Sequence, residues 1–290
     1  MLITNTQQVN FSNYKRFFTI GCSFTRWYWP TWANILSKEY PELEFYNFGR
    51  GGAGNVYIST LLSQIDRKYK LCETDLVAIM WSSFHRHTVY CATHDIKDML
   101  ADSTRDFYSN KKGDPFNWFG NSDLILVSTM DDKTNLSFDD RGYLLRDCAI
   151  IDNVSRVLAH AKFDSFQMMS VDLADQNIYD PSMVSFKDDV LEAYADLRDR
   201  MIGPSLMRVL FEGETFKGEF KLKHTSRPEK VLDNHPNSQY YAEYLKVLGF
   251  NVSDETLTWA KQCDDRVRQA DSYIDIEHDF AHFKNLSLPF

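Results

Sequence analysis

Asp75-Leu76-Val77-Ala78-Ile79-Met80-Trp81 is apolar at every position after the first. A strand that offers apolar side chains to both of its faces must be covered on both. That places it centrally in a parallel sheet with helices on either side. The preceding segments fit the same layout. Arg16 to Ile20 reads as a strand. A helix follows from about Pro30, a residue suited to a helix start, to Tyr40. A short strand lies near Leu43 to Asn47, and a glycine-rich loop, Gly49-Arg50-Gly51-Gly52-Ala53-Gly54-Asn55, leads into a helix through Leu61, Leu62 and Ile65. Alternation of strand and helix implies right-handed crossovers and an α/β sandwich.

From Phe84 to about Gly142 the periodicity breaks, and polar residues mix with Tyr90, Tyr108, Phe116, Trp118 and Phe119. A stretch of this length reads as an insertion. It is either a small satellite core or a stacking surface for sugar rings or an acyl group. Order resumes with a helix from about Leu144 to Ala161, whose apolar residues recur at three- and four-residue steps. A fourth strand follows at Ser165 to Val171. An amphipathic helix is expected over Asp188 to Met201, and a hairpin or exposed loop over Glu212 to Lys223. A turn at Leu232 to Pro236 precedes a helix from Ser238 to Leu248 that Gly249 stops. Ser253 or Asp254 caps a last helix to about Ala270. This organisation predicts one domain over 1–250, with the insertion at about 84–142, and a helical extension over 251–290.

The net charge of −9 argues against a general binder of nucleic-acid backbone, which needs a basic face. The five cysteines are widely spaced, odd in number and without a C-x-x-C pair, so neither a disulfide framework nor a zinc ribbon is expected. No apolar run approaches the roughly 20 residues that span a bilayer. Met1 to Gln8 has neither the basic nor the apolar part of a signal peptide. The expected setting is cytoplasmic, with no membrane and no nucleic-acid partner.

Gly21-Cys22-Ser23-Phe24-Thr25 directly follows the first strand. A serine at such a turn has two readings. It caps the coming helix, or it exposes a nucleophilic hydroxyl whose own N–H faces the same way. Ligands of open parallel sheets bind beyond the strand C-termini. Ser23, the glycine loop, Ser82 and Ser83 all follow strands, and Asp233 and His235 precede a core helix.

The order of these pieces resembles the SGNH/GDSL hydrolase superfamily. Gly21-Cys22-Ser23-Phe24-Thr25 looks like its first block, Asn47-Phe48-Gly49-Arg50-Gly51-Gly52 like its second, and Asp233-Asn234-His235-Pro236 like its last. The resemblance implies a three-layer α/β/α fold with a flavodoxin-like parallel sheet. It implies a serine esterase that needs no cofactor and no metal. Ser23 would be the nucleophile, His235 the base and Asp233 the orienting acid, with the N–H groups of Ser23 and Gly52 in the oxyanion hole. The substrate class would be a carboxylic ester, an O-acetyl or other acyl group on a glycan or small molecule. Similar stand-alone chains among phage-encoded proteins add a virion-associated role, catalytic or merely structural. Two departures stand out. Only Asn234 separates the acid from the histidine, where the family usually has two residues. Trp81-Ser82-Ser83-Phe84 lacks the asparagine that the family's third block uses as an oxyanion donor, which leaves Ser83, Ser82 or Asn55 to serve.

Other readings compete for some of these residues. Gly49 to Gly54 also matches G-x-G-x-x-G, but a dinucleotide site wants an acidic residue at the end of the next strand, where Ser82 and Ser83 stand. His85 and His87 alternate on an extended segment, and His278 and His282 lie four apart; neither pair has further ligands at recognisable spacing, so no metal is expected. Arg86, between the first two, is a candidate partner for an anionic group or a brace for its loop. Trp118 and Phe119 are candidate substrate contacts. Cys22 reads as a buried residue behind the turn.

Overall fold

A computed structural model of the chain describes residues 1–84, 86–92, 124–129, 140–172, 184–211, 218–223 and 229–279. Its centre is a five-stranded parallel sheet. The strands are β1 (Leu2–Ile3), β2 (Arg16–Gly21), β3 (Glu44–Gly49), β4 (Asp75–Trp81) and β7 (Asp164–Met169). They lie in the order β1-β7-β4-β2-β3. β4 is buried along its whole length, between β2 and β7, with Ala78 opposite Thr19 on one side and Phe166 on the other.

Alternation along the strands assigns side chains to two cores. On one face Phe18, Ile20, Tyr46, Phe48, Val77, Ile79 and Trp81 pack with helices α2 (Asn55–Tyr69) and α3 (Asp140–Ala159). On the other, Phe17, Phe45, Leu76, Ala78, Met80, Phe166 and Met168 pack with α1 (Trp32–Glu39) and α6 (Ser238–Val247). The three-layer α/β/α architecture is therefore the one expected. Four of the strands follow the flavodoxin order of 2-1-3-4-5.

The fifth place departs from that pattern, because the N-terminal β1 fills it. The Met1 ammonium group donates to the Phe163 carbonyl at 2.7 Å and pairs with Asp164 at 2.9 Å, while Ser165 N–H donates to the Met1 carbonyl. A two-residue strand carries no periodicity, so it left no trace in the sequence.

Other differences are local. The stretch after β4 holds an antiparallel pair, β5 (His87–Ala92) and β6 (Leu124–Thr129). The helix expected over Asp188 to Met201 is α4 (Val184–Ala193) followed by a tight 3₁₀ turn at Ala195–Arg200. Tyr194 leaves helical geometry there (φ −117°, ψ 28°), and the turn drives Leu197 into the core. A short α5 (Leu206–Phe211) follows. β8 (Lys221–Lys223) pairs antiparallel with β9 (Lys230–Leu232) just ahead of Asp233. α7 (Asp254–Gln269) starts at the Ser253 cap, whose side chain accepts from Thr256 N–H, and packs on α6. A further helix, α8 (Tyr273–Asp279), ends the described chain. No described helix is long and apolar enough to cross a membrane.

Candidate active site

The turn after β2 is closed by Thr25 N–H donating to the Cys22 carbonyl at 2.9 Å, with Ser23 and Phe24 at its corners. Ser23 does not cap α1. Thr31 takes that position, eight residues on; its N–H donates to Asn34 Oδ1 and its hydroxyl donates to the Thr25 carbonyl at 2.6 Å. The turn is thus tied to the helix start without Ser23. It is also packed too closely for side chains at its flanks. A Cβ at Gly21 would lie 2.0 Å from Thr25 Oγ1, and one at Gly49 would lie 2.6 Å from Arg26 N.

Asn47 joins this turn to the glycine loop. Its Nδ2 donates to the Thr25 carbonyl at 2.9 Å, and its Oδ1 accepts from Gly49 N–H at 2.9 Å. Arg50 N–H donates to the Gly21 carbonyl at 3.0 Å. The first and second sequence blocks therefore form one hydrogen-bonded unit at the C-terminal ends of β2 and β3. Gly52 has a φ of 74°, a left-handed conformation that glycine adopts at no steric cost.

Asp233 and His235 form the second half of the site. Asp233 Oδ1 accepts from the backbone N–H of His235 at 2.8 Å and bonds its ring Nδ1 at 2.7 Å. The backbone bond is an Asx turn, the local geometry an aspartate readily forms with the residue two positions on. The short spacing is thus what brings the carboxylate under the imidazole. With Nδ1–H given to the carboxylate, Nε2 carries the lone pair, an assignment made from the hydrogen-bond network.

An aromatic shell encloses the pair. The Trp27 indole stacks on the His235 ring, with centroids 3.7 Å apart and planes 21° apart. Phe24, the neighbour of Ser23, has its ring centroid 5.3 Å from that of His235. Trp29 meets the same ring edge-on and donates its Nε1–H to the Pro236 carbonyl at 2.8 Å. The second oxygen of Asp233 accepts from Trp27 Nε1–H at 3.2 Å and from the Tyr273 hydroxyl.

The electrostatics follow from these contacts. Burial pushes the Asp233 carboxyl up. The hydrogen bond and charge of His235, with the Tyr273 hydroxyl, outweigh it and hold the group below its ordinary 3.8. Burial pushes His235 down from 6.5; Asp233 opposes this, the Arg86 charge adds to it, and the net shift is downward. The imidazole is kept neutral, as a general base requires.

The start of α6, directly after this block, is pinned from two sides. Asn237 caps it by accepting from Tyr240 N–H at 2.8 Å. Asp264, from α7, accepts from Ser238 and Gln239 N–H at 2.7 and 3.0 Å. A carboxylate at a helix N-terminus is favoured by the helix dipole.

No family model matches the chain, and no curated protein matches it. Among solved structures, one similar chain is LAE5, an alpha/beta hydrolase enzyme from the metagenome of Lake Arreo, Spain. The two are 12% identical with a TM-score of 0.37, over 81% of this chain and 95% of that one. The fold assignment above rests on the sheet order and layers of this chain itself.

The end of β4 behaves differently from expectation. Asn55 Oδ1 accepts from Ser82 N–H at 2.8 Å, while its Nδ2 donates to the Ser82 carbonyl at 3.0 Å and to Asp147 Oδ2 at 2.7 Å. Both amide hydrogens are committed, so Asn55 has none for an oxyanion and acts as a brace. Ser82 is fully buried, and the Ser83 carbonyl accepts from Arg86 N–H at 3.3 Å. Arg86 is buried with its Cζ 5.8 Å from the Phe24 ring centroid. His85, Trp118, Phe119 and His282 lie outside the described residues. Cys22 is a buried free thiol behind the turn, as expected.

Trp27 and Tyr273 were not legible as site residues, and Asn47, part of the second block, had no role of its own there. Trp27-Tyr28-Trp29, an aromatic run on the heels of the serine turn, is the signal that could have marked the first. Tyr273 offers no such signal, because 40 residues separate it from its partner.

Proposed function

We propose that this chain is a serine hydrolase of the SGNH type that cleaves a carboxylic ester. The observation that carries this reading is the Asp233–His235 Nδ1 bond of 2.7 Å, held beside a serine turn whose Phe24 ring approaches the same imidazole. In this reading Ser23 Oγ attacks the ester carbonyl while His235 Nε2 takes its proton. The N–H groups of Ser23 and Gly52 receive the developing oxyanion, where each donor is worth about 3–4 kcal/mol. His235 returns the proton to the leaving alkoxide. Water then hydrolyses the acyl-enzyme by the same route in reverse order. Asp233 holds the imidazole tautomer and stabilises the imidazolium.

The alcohol or acyl part is proposed to be a glycan or small molecule bearing an O-acetyl group. The part-exposed aromatic side chains Trp27 and Tyr28 support a ring-bearing substrate, since they offer flat apolar surface near the base. The test is labelling with a fluorophosphonate followed by mapping of the modified residue. Stoichiometric modification of Ser23, absent from Ser23→Ala, is expected, together with loss of p-nitrophenyl acetate turnover. An unlabelled Ser23 would leave the fold a non-catalytic binding role.

A further inference from the structure

We infer that Arg86 is an anion-binding residue of this site, and that the ester it takes carries a carboxylate or phosphate group. The inference names the substrate class for the serine hydrolase proposed above and rests on that reading.

Arg86 is 9% exposed, and its Nε and Nη1 atoms have no hydrogen-bond partner. A guanidinium cannot shed its charge in a protein. Burying it with N–H groups unmet is costly, and a buried charge is normally paired. Among the described residues no carboxylate pairs with Arg86. Asp233, the acid of the site, is committed to His235, Trp27 and Tyr273. The Phe24 face, 5.8 Å away, offers a cation–π contact. Such a contact contributes about 0.5–2 kcal/mol, less than the desolvation of a guanidinium.

A second group points the same way. The Tyr241 hydroxyl is fully buried and without a hydrogen-bond partner. Arg86 lies close enough for its charge to act on both Tyr241 and His235. The unmatched Arg86 N–H groups donate, so what completes them is an acceptor, and a charged acceptor suits a guanidinium best. Arg86 and His235 both approach the Phe24 ring, so an anion on Arg86 would sit beside the same ring as the base.

The test uses benzoate, phenyl phosphate and neutral benzamide, titrated calorimetrically into the full-length Ser23→Ala protein. This variant lacks the nucleophile, so the outcome does not depend on whether Ser23 is catalytic. At least one anion should bind about tenfold more tightly than benzamide, and which one distinguishes a carboxylate from a phosphate substrate. Arg86→Gln should abolish that preference while leaving benzamide affinity unchanged, and Arg86→Lys, which keeps the charge, should retain part of it. Equal affinity for all three probes, or a preference that survives Arg86→Gln, overturns the inference. So does an Arg86→Gln enzyme that loses turnover of 4-acetoxybenzoate and 4-acetoxybenzamide equally, because that pattern marks an oxyanion donor. If Arg86→Gln does not fold, Arg86→Lys decides: a surviving preference, whole or partial, for the favoured anion over benzamide supports the inference, and its loss overturns it.

Discussion

Tyr273 donates its hydroxyl hydrogen to Oδ2 of Asp233, across 40 residues of sequence. The donor comes from α8, beyond the sheet and both of its helical layers. Trp27 donates to the same oxygen from the serine turn. The carboxylate that orients His235 is therefore held by two elements that share no local sequence. Tyr273→Phe removes one charged hydrogen bond and leaves the ring in place. A bond of this kind is worth about 1.5–3 kcal/mol. Ester turnover should fall about tenfold or more with little change in KM, and circular dichroism should show an intact fold. Unchanged kcat would assign Tyr273 to packing alone.

Asp233→Asn keeps the shape of the side chain but not its charge. The imidazole then loses the partner that fixes its tautomer, and a loss of about 10⁴-fold in kcat is expected by analogy with triad chemistry in general. His235→Ala should cost at least as much as Asp233→Asn, and combining it with Ser23→Ala should add little, since triad members act as a unit. Steady-state kinetics on p-nitrophenyl acetate reads all three.

The acid limb of the pH profile should lie below 6.5, because burial lowers the His235 pKa and the neutral ring is the active form in the proposed mechanism. The signs of two variants follow from charge. Arg86→Gln removes a positive neighbour, eases protonation of His235, and moves the limb to higher pH. Asp233→Asn removes a negative neighbour and moves what activity remains to lower pH. A pH series of kcat/KM tests both shifts, and an Arg86→Gln limb that does not move would separate that charge from the base.

Asn47→Ala cuts the tie between the serine turn and the glycine loop. It leaves the Thr25 carbonyl with one donor fewer and Gly49 N–H without its acceptor. Two buried bonds of this kind cost about 2–4 kcal/mol together. A lower melting temperature should accompany a fall in kcat larger than any rise in KM, because the proposed oxyanion donors sit on the two loops that Asn47 joins.

Gly52→Ala places a Cβ on a residue at φ 74°. The left-handed conformation costs an L-residue about 1–2 kcal/mol. Denaturant unfolding should show that loss, and turnover should fall if the loop relaxes to avoid it. An alanine variant as stable and active as the parent would show that the loop does not need this backbone shape.

Much of the fold was legible because it repeats along the chain. The apolar run of β4, the alternation of strand and helix, and the Ser253 and Gly249 boundaries each follow from residues close in sequence. The serine turn, the glycine loop and the Asp233-His235 block were visible for the same reason. Asn55 shows the limit of such reading. Its position beside the glycine loop made it a candidate oxyanion donor, yet its hydrogens go to Ser82 and Asp147, and Asp147 is far away in the chain. Side-chain hydrogen bonds have no periodicity, so sequence cannot say which of several partners a buried amide will meet.

The sequence alone determined the parallel α/β core and the turn that carries Ser23, because hydrophobic period and turn chemistry are local properties. Tertiary structure decided what surrounds them. It put β1 at the sheet edge, stacked Trp27 on His235, brought Tyr273 to Asp233, and left Arg86 buried with unmet donors. Each depends on groups meeting through space, where packing and charge compensation across the whole chain choose the partner.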